Sequence, residues 1–380
     1  MKKIAIFLGD FFWSSVPYDG IRLLKELQQE QNLHVDLLMF EQDIRLNKVF
    51  SGTEKYYFNP EVFKLEKNLR TIKSWNDLYL ASGDYSLILT STHIAPKTRY
   101  PQDLRANKRC PIAAWDIGGT DIITNATHFA DAYFVKAPIW KRWLRLEKGI
   151  DERNIWVTGS PHYDSYFLEN YGLSEKEKFH KKYDLKKEKT ILICPSNPGS
   201  HVAQFEQNMS ELEKLIEFSK ELNANLLVKT YPHDYMFYEK EKQYSGIYKR
   251  IYKNKPHYEF LIEKFPELKI IESQDHHNAV MFCDALFNMS GSSISWETHF
   301  SKTRSYSMNY KDKPYYGAVS YLKHAKLPDE LYNTNIDKIT DLTLNNKEKN
   351  EDNEYIVTLD SCKEIKKKIK DCCILLKKDS

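Results

Sequence analysis

Short apolar runs alternate with longer amphipathic stretches through the first half of the chain. The runs are KIAIFLG at 3–9, HVDLLMF at 34–40, YSLILTS at 85–91, IAAW at 112–115, AYFVKA at 132–137 and IWVTG at 155–159. This rhythm predicts parallel strands joined by crossover helices in a doubly wound sheet. A polar, lysine-rich stretch follows at 173–190, and then the rhythm restarts. ILICP at 191–195, ANLLVKTY at 224–231, LKIIES at 268–273, DALFNMS at 284–290 and TRSYSMN at 303–309 predict a second set of strands, with leucine and isoleucine at helical spacing near 212–222. The predicted class is α/β. A Rossmann-like domain is expected over 1–172, a linker over 173–189, a second Rossmann-like domain over 190–345 and a basic helical segment over 346–380. No internal repeat of solenoid period is visible.

Length agrees with two domains, since 380 residues are enough for each to bury its own core. Apolar residues at 41% and charged residues at 29% exclude a disordered chain and a disulfide-stapled mini-fold. Lysine and arginine number 56 against 53 acidic residues, and a net charge of +3 is too small an excess for a protein that coats nucleic acid. The six cysteines, Cys110, Cys194, Cys283, Cys362, Cys372 and Cys373, show no CxxC or zinc-like spacing. Three lie in or beside apolar runs, so reduced thiols are expected rather than disulfides or metal ligands. The opening MKKIAIFLGDFF is broken by Asp10 and reads as a buried strand, not as a signal peptide. No stretch approaches the roughly 20 apolar residues of a spanning helix, so a cytoplasmic protein is expected. Near the C-terminus, Ile365, Ile369, Cys372 or Cys373 and Leu376 share one helical face with lysines elsewhere. That face either packs on the body or leans on an anionic membrane surface.

In open α/β folds, ligands bind beyond the carboxyl ends of the strands, so the residues just after each run are the candidates. In NMSGSSISWETHF at 288–300, Ser290, Gly291, Ser292 and Ser293 stand between a strand and a helical pattern. Backbone N–H groups at a helix start, with serine hydroxyls added, make a phosphate cradle. Serine capping is the plainer account, but it needs only one serine. Glu297, about one turn later, offers a forked acceptor suited to the vicinal hydroxyls of a ribose, or else a near-miss capping box. Lys229 and His233 follow the strand in LLVKTYPHDY and would neutralise charge on a departing phosphate. Ser196 and Asn197 form the first loop of the second domain, a weaker signal shared with ordinary turns. On the other side, Asp116 follows IAAW and has two glycines after it, the place for a general base acting on an acceptor hydroxyl. Asp10, after the first strand, is its rival, and either aspartate is equally suited to capping a helix. The 25 tyrosines and 7 tryptophans, Trp13 and Tyr18 among them, add aromatic faces of the kind that stack on sugars.

Taken in order, WDIGG at 115–119, IDERNIWVTGSPHYD at 150–164, ILICPSNPGS at 191–200, VKTYPHD at 228–234 and DHHNAVMFCDALFNMSGSSISWE at 275–297 resemble the GT-B superfamily of nucleotide-sugar transferases. The nearest branch is that of CDP-glycerol glycerophosphotransferases and related surface-polysaccharide transferases. The resemblance implies two Rossmann-like domains whose parallel sheets face a central cleft, with Ser292 and Ser293 matching a serine pair that grips the donor phosphates. Departures are specific. Trp-His-Gly of the polyol-phosphate enzymes becomes Trp115, Asp116, Ile117 and Gly118; Gly-x-Pro-Arg becomes Gly159, Ser160, Pro161 and His162; and His-Pro becomes Pro232 and His233 in reversed order. These departures turn the implication toward a sugar donor. The expected protein is an inverting, metal-independent glycosyltransferase without a cofactor, peripheral to the cytoplasmic membrane if it touches it at all. It would move a sugar from a CMP-, CDP- or UDP-linked donor to a glycan or lipid-linked acceptor of the cell surface, as in capsule or lipopolysaccharide synthesis. Ser290, Ser292, Ser293, Glu297 and His233 would hold the nucleotide, and Asp116 would deprotonate the acceptor. A CDP-glycerol-type polyol-phosphate transferase, a GT-B-like UDP-sugar 2-epimerase and a catalytically silent nucleotide-binding protein are the alternatives.

Overall fold

The computed structural model describes residues 2–8, 16–41, 66–91, 106–115, 130–168, 170–195, 205–229, 257–272, 275–288, 294–301, 303–307 and 360–375. They fall into two units. The first runs to Leu168 and also takes the C-terminal stretch from Asn350, and the second begins at Glu169.

The first unit is built on strands β1 (Lys2–Phe7), β2 (Leu33–Phe40), β3 (Leu69–Ile72), β4 (Leu87–Ser91), β5 (Ile112–Trp115), β6 (Ala132–Val135) and β7 (Ile155–Val157). They form one sheet in the order β3-β2-β1-β4-β5-β6-β7, with every neighbouring pair parallel. Ile4, Ala5, Ile6 and Phe7 are consecutive and all fully buried, so both faces of β1 are covered. That explains the unbroken apolar runs. Strand β3 has no such run: it is an edge strand, with Arg70 and Thr71 exposed and Ile72 alone buried.

Helices α1 (Val16–Leu27), α2 (Trp75–Ala81), α3 (Pro138–Lys148) and α4 (Pro161–Leu168) belong to this unit. Their ends are set locally. Ser74 caps α2 by accepting from the Asp77 N–H at 3.2 Å, while Asp77 accepts from the Ser74 N–H at 3.0 Å, a complete capping box. Helix α3 starts on Pro138 and stops at Gly149, whose φ of 63° lets Ile150 N–H turn back to the Leu144 carbonyl at 3.1 Å. Gly20 lets α1 lie against β1, because a Cβ there would stand 2.3 Å from Leu8 Cδ2.

One polar cluster is built into the sheet. Asp36, in β2, accepts from the Tyr85 hydroxyl at 2.9 Å, meets His34 Nε2 at 2.8 Å, and has Lys3 and Arg70 at 3.4 and 3.5 Å. Burial by itself would raise its carboxyl, but hydrogen bonds from Tyr85 and His34 and the charge of Lys3 outweigh it and hold Asp36 below the ordinary value.

The second unit carries β8 (Lys189–Cys194), β9 (Ala224–Val228), β10 (Lys269–Ile270), β11 (Ala285–Asn288) and β12 (Arg304–Ser307), all parallel, in the order β10-β9-β8-β11-β12. Its helices are α5 (Leu173–Lys182), α6 (Phe205–Glu221), α7 (His257–Lys264), α8 (His276–Phe282) and the single turn α9 (Ile294–Glu297), which runs into a tighter turn over Thr298–Phe300. Thus α5 lies within the stretch expected as a linker, and its Phe179 is buried against Phe282 of α8. The strand expected from LKIIES is only two residues long. After Ile271 bonds to the Val228 carbonyl at 3.0 Å, the Glu272 N–H turns away to the Tyr183 hydroxyl at 2.8 Å, which ends the ladder.

Helix α10 (Ser361–Leu375) returns to the first unit. The buried carboxylate of Asp164, on α4, accepts from the N–H groups of Ser361 at 2.9 Å and Cys362 at 3.0 Å, capping the helix from another element. Ile365 and Ile369 are buried and Lys366 pairs with Glu26 of α1 at 2.5 Å, so at these positions the apolar face packs on the body. The side chains of Cys372, Cys373 and Leu376 lie outside the described ones. Cys194, Cys283 and Cys362 are free, buried thiols, and Cys110 is buried as well. No described helix is long and apolar enough to cross a membrane.

Candidate functional site

Both sheets contain a point where the strand order reverses, and this is where an open α/β fold opens a crevice beyond its strand ends. In the second unit the chain runs outward from β8 through β9 to β10, then restarts on the other side with β11 and β12. The reversal therefore lies between β8 and β11, whose last residues, Cys194 and Asn288, are register partners. The chain leaves β8 toward Ser196 and Asn197, and leaves β11 toward Ser290, Gly291, Ser292 and Ser293. All six lie outside the described residues, but the strands that deliver them are neighbours at the reversal.

Around this edge the described side chains form a compact group. Glu297, at the end of α9, is 2% exposed, and its Oε2 stands 2.5 Å from His276 Nε2. His277 follows, its ring 5.3 Å from that of His276 at 73°. Lys229, just after β9, donates its backbone N–H to the Ile193 carbonyl at 2.9 Å and so continues the β8–β9 ladder. The Cys194 thiol reports on the same neighbourhood. Burial pushes it up to about 12, the charge of Lys229 pulls it down and that of Glu297 raises it.

The support beneath the histidines is itself polar. Asp275, immediately before α8, accepts from Lys182 Nζ and from the Tyr183 hydroxyl, both at 2.5 Å. Lys182 also reaches Glu272 at 2.7 Å. Burial and the hydrogen bond to Asp275 push the Tyr183 hydroxyl well above its ordinary value, which keeps it a donor. Helix α8 thus begins at a point fixed by the end of α5.

The structure therefore brings Glu297 and Lys229 into one neighbourhood and adds His276 and His277, which the search after strand ends passes over. These histidines come before a strand, not after it, and 21 residues separate His276 from Glu297. The fork expected to face a ribose is engaged with His276 and buried. His233 lies outside the described residues.

In the first unit the order reverses between β1 and β4. Asp10 comes after β1, a strand of the reversal, and Asp116 comes directly after β5, one strand further. Both aspartates lie outside the described residues. The approach to them contains two buried polar atoms with no hydrogen-bond partner among the described residues, Thr90 Oγ1 in β4 and Trp115 Nε1 at the end of β5. Each costs about 1–3 kcal/mol.

Comparison with known proteins places this architecture. No family model matches the chain, and no curated protein matches its sequence. Among solved structures, UDP-GlcNAc 2-epimerase from Methanocaldococcus jannaschii superimposes with a TM-score of 0.55 at 14% identity, over 97% of this chain and 99% of that one. The same enzyme in complex with UDP-GlcNAc and UDP gives 0.59 at 13% identity over the same shares. The fold is GT-B. Wall teichoic acid polymerase TagF also matches, with a TM-score of 0.48, 12% identity and coverage of 82% of this chain and 70% of that one, a likeness too loose to carry an argument. Identities this low show the GT-B fold alone.

Proposed function

We propose that this chain is an enzyme acting on a nucleotide-activated sugar, and that it transfers the sugar with inversion to a glycan or lipid-linked acceptor of the cell surface. The observation that carries the reading is the reversal of strand order in the second sheet. The chain leaves β8 toward Ser196 and Asn197 and leaves neighbouring β11 toward Ser290, Gly291, Ser292 and Ser293, while Lys229 follows β9 on the far side of β8. Hydroxyls, backbone N–H groups and a cation at one sheet edge suit a diphosphate.

In this reading the acceptor hydroxyl attacks the anomeric carbon as the bond from that carbon to the donor's phosphate oxygen breaks. The hydroxyl proton passes to Asp116, with Asp10 as the rival base. Lys229, His233 and the serine-rich turn meet the charge of the leaving nucleotide. Glu297 acts on the nucleotide together with His276, which it holds at its carboxylate. The reading is supported by the resemblance of the ordered motifs from 115 to 297 to surface-polysaccharide transferases, and an acceptor of that kind would bring the enzyme to a membrane surface without spanning it.

Thermal shift with CMP, CDP, UDP and GDP tests the nucleotide. A bound one at a hundred times its Kd should stabilise the protein by about 2.7 kcal/mol, and four flat curves would sink the reading. A second reading, a UDP-sugar 2-epimerase, is favoured by the end-to-end superposition on the archaeal epimerase, over 97% and 99% of the two chains. Incubating UDP-GlcNAc with the protein and no acceptor separates them. A C2 epimer supports epimerisation, whereas a donor consumed only when acceptor is added supports transfer. CDP-glycerol in the same assay tests the polyol-phosphate alternative.

A further inference from the structure

We infer that His276, His277 and Glu297 form a site for a divalent transition metal of the zinc class. Each offers one ligand atom, and these atoms lie within 4.8 Å of one another. A tetrahedral zinc ion holding nitrogens at about 2.0–2.1 Å and an oxygen at about 2.0–2.2 Å sets its ligand atoms roughly 3.3–3.5 Å apart. Rotamer adjustments of about 1–1.5 Å close the difference. His276 Nε2 and Glu297 Oε2 already stand 2.5 Å apart, so two of the three ligand atoms meet without any rearrangement of the backbone.

Neutral imidazole is the commonest metal ligand, and His276 and His277 stand side by side with ring centroids 5.3 Å apart, next to the buried Glu297 carboxylate. Two imidazole nitrogens and one carboxylate oxygen suit zinc better than magnesium or calcium, which favour all-oxygen shells. The frame is also fixed: Asp275, the residue before His276, is gripped by Lys182 and Tyr183 at 2.5 Å each. The sequence conceals this set because its ligands stand on either side of β11, and the expectation of metal independence came with the GT-B resemblance.

The inference stands on the second unit's geometry and is tested without nucleotide. The full chain, stripped with a chelator, is titrated with Zn²⁺ alone and with Co²⁺ alone. One equivalent of Zn²⁺ should bind and raise Tm, and Co²⁺ should give the strong visible absorption of a four- or five-coordinate site. His276→Ala and His277→Ala should each weaken Zn²⁺ binding by at least about tenfold, the scale of even an indirect disturbance of a metal site. His180→Ala, on α5, should leave it unchanged. Absence of saturable binding, or equal binding in wild type and both variants, would overturn the inference. If His276→Ala fails to give a cooperative melt, His277→Ala, whose side chain is only partly buried, decides alone.

Discussion

Asp36 and Glu297 are both carboxylates removed almost wholly from water, at 5% and 2% exposure, but they keep different company. Asp36 sits in the amino half of β2 and shares its oxygens among Tyr85, His34, Lys3 and Arg70, four groups drawn from the strands around it or the residues beside them. Its hydrogen-bonding capacity is spent inside the sheet, tying β1, β2 and the edge strand β3 together. Glu297 stands beyond the carboxyl end of β11, and its partner is a histidine from a neighbouring helix with a second histidine adjoining. A buried charge is therefore not in itself the mark of a site. Placement beyond the strand ends, and partners able to exchange a proton for an ion, distinguish the second case from the first.

Substitutions can break this contrast. The largest expected effect lies on the acceptor side: Asp116→Asn should lower sugar transfer by about 10²–10⁴-fold, the usual worth of a general base, with the nucleotide thermal shift unchanged. Next, Glu297→Gln should reduce donor turnover by about 10²-fold, comparable to loss of one preorganised electrostatic group. Asp36→Ala should do the reverse, leaving turnover intact while costing about 1–3 kcal/mol of stability as Tyr85 loses its acceptor; denaturant melts measure it. If Asp36→Ala instead matched Glu297→Gln in turnover, the distinction between the clusters would be lost.

A smaller effect concerns pH. The Asp36 carboxyl is held below its ordinary value in the folded state, so its contribution is complete above the unfolded value near about pH 4 and disappears as pH falls through the folded one. Melting temperature should therefore fall more steeply in wild type than in Asp36→Asn over that acid range. Smallest of all, Ser74→Ala should cost about 1 kcal/mol through loss of the α2 cap, with no change in either cluster.

The strands of both sheets were readable wherever burial on two faces forces an unbroken apolar run, as in β1, β4 and β8. The LRTI segment of β3 was not, because an edge strand with two exposed residues carries no such run. The shortness of β10 was hidden for another reason: the Tyr183 hydroxyl that captures Glu272 N–H is 89 residues away. At the site, Glu297 was visible as a lone carboxylate after a strand and Lys229 as a cation after another. His276 and His277 were not, since their meaning depends on a contact across 21 residues that only the folded second sheet creates.

Helix α10 carries a consequence for how the protein is made. Residues 361–375 contribute Ile365 and Ile369 to the first unit, whose strands begin at Lys2. Each such side chain is worth about 1.5–3 kcal/mol when buried, and Asp164 waits for Ser361 and Cys362 before its carboxylate is satisfied. On the ribosome the second unit is therefore synthesised in full while the first is still missing a helix. Of the two units, the one synthesised earlier is the later to be finished, and a nascent chain halted before residue 361 would present α1 and α4 uncovered to any chaperone at the tunnel exit.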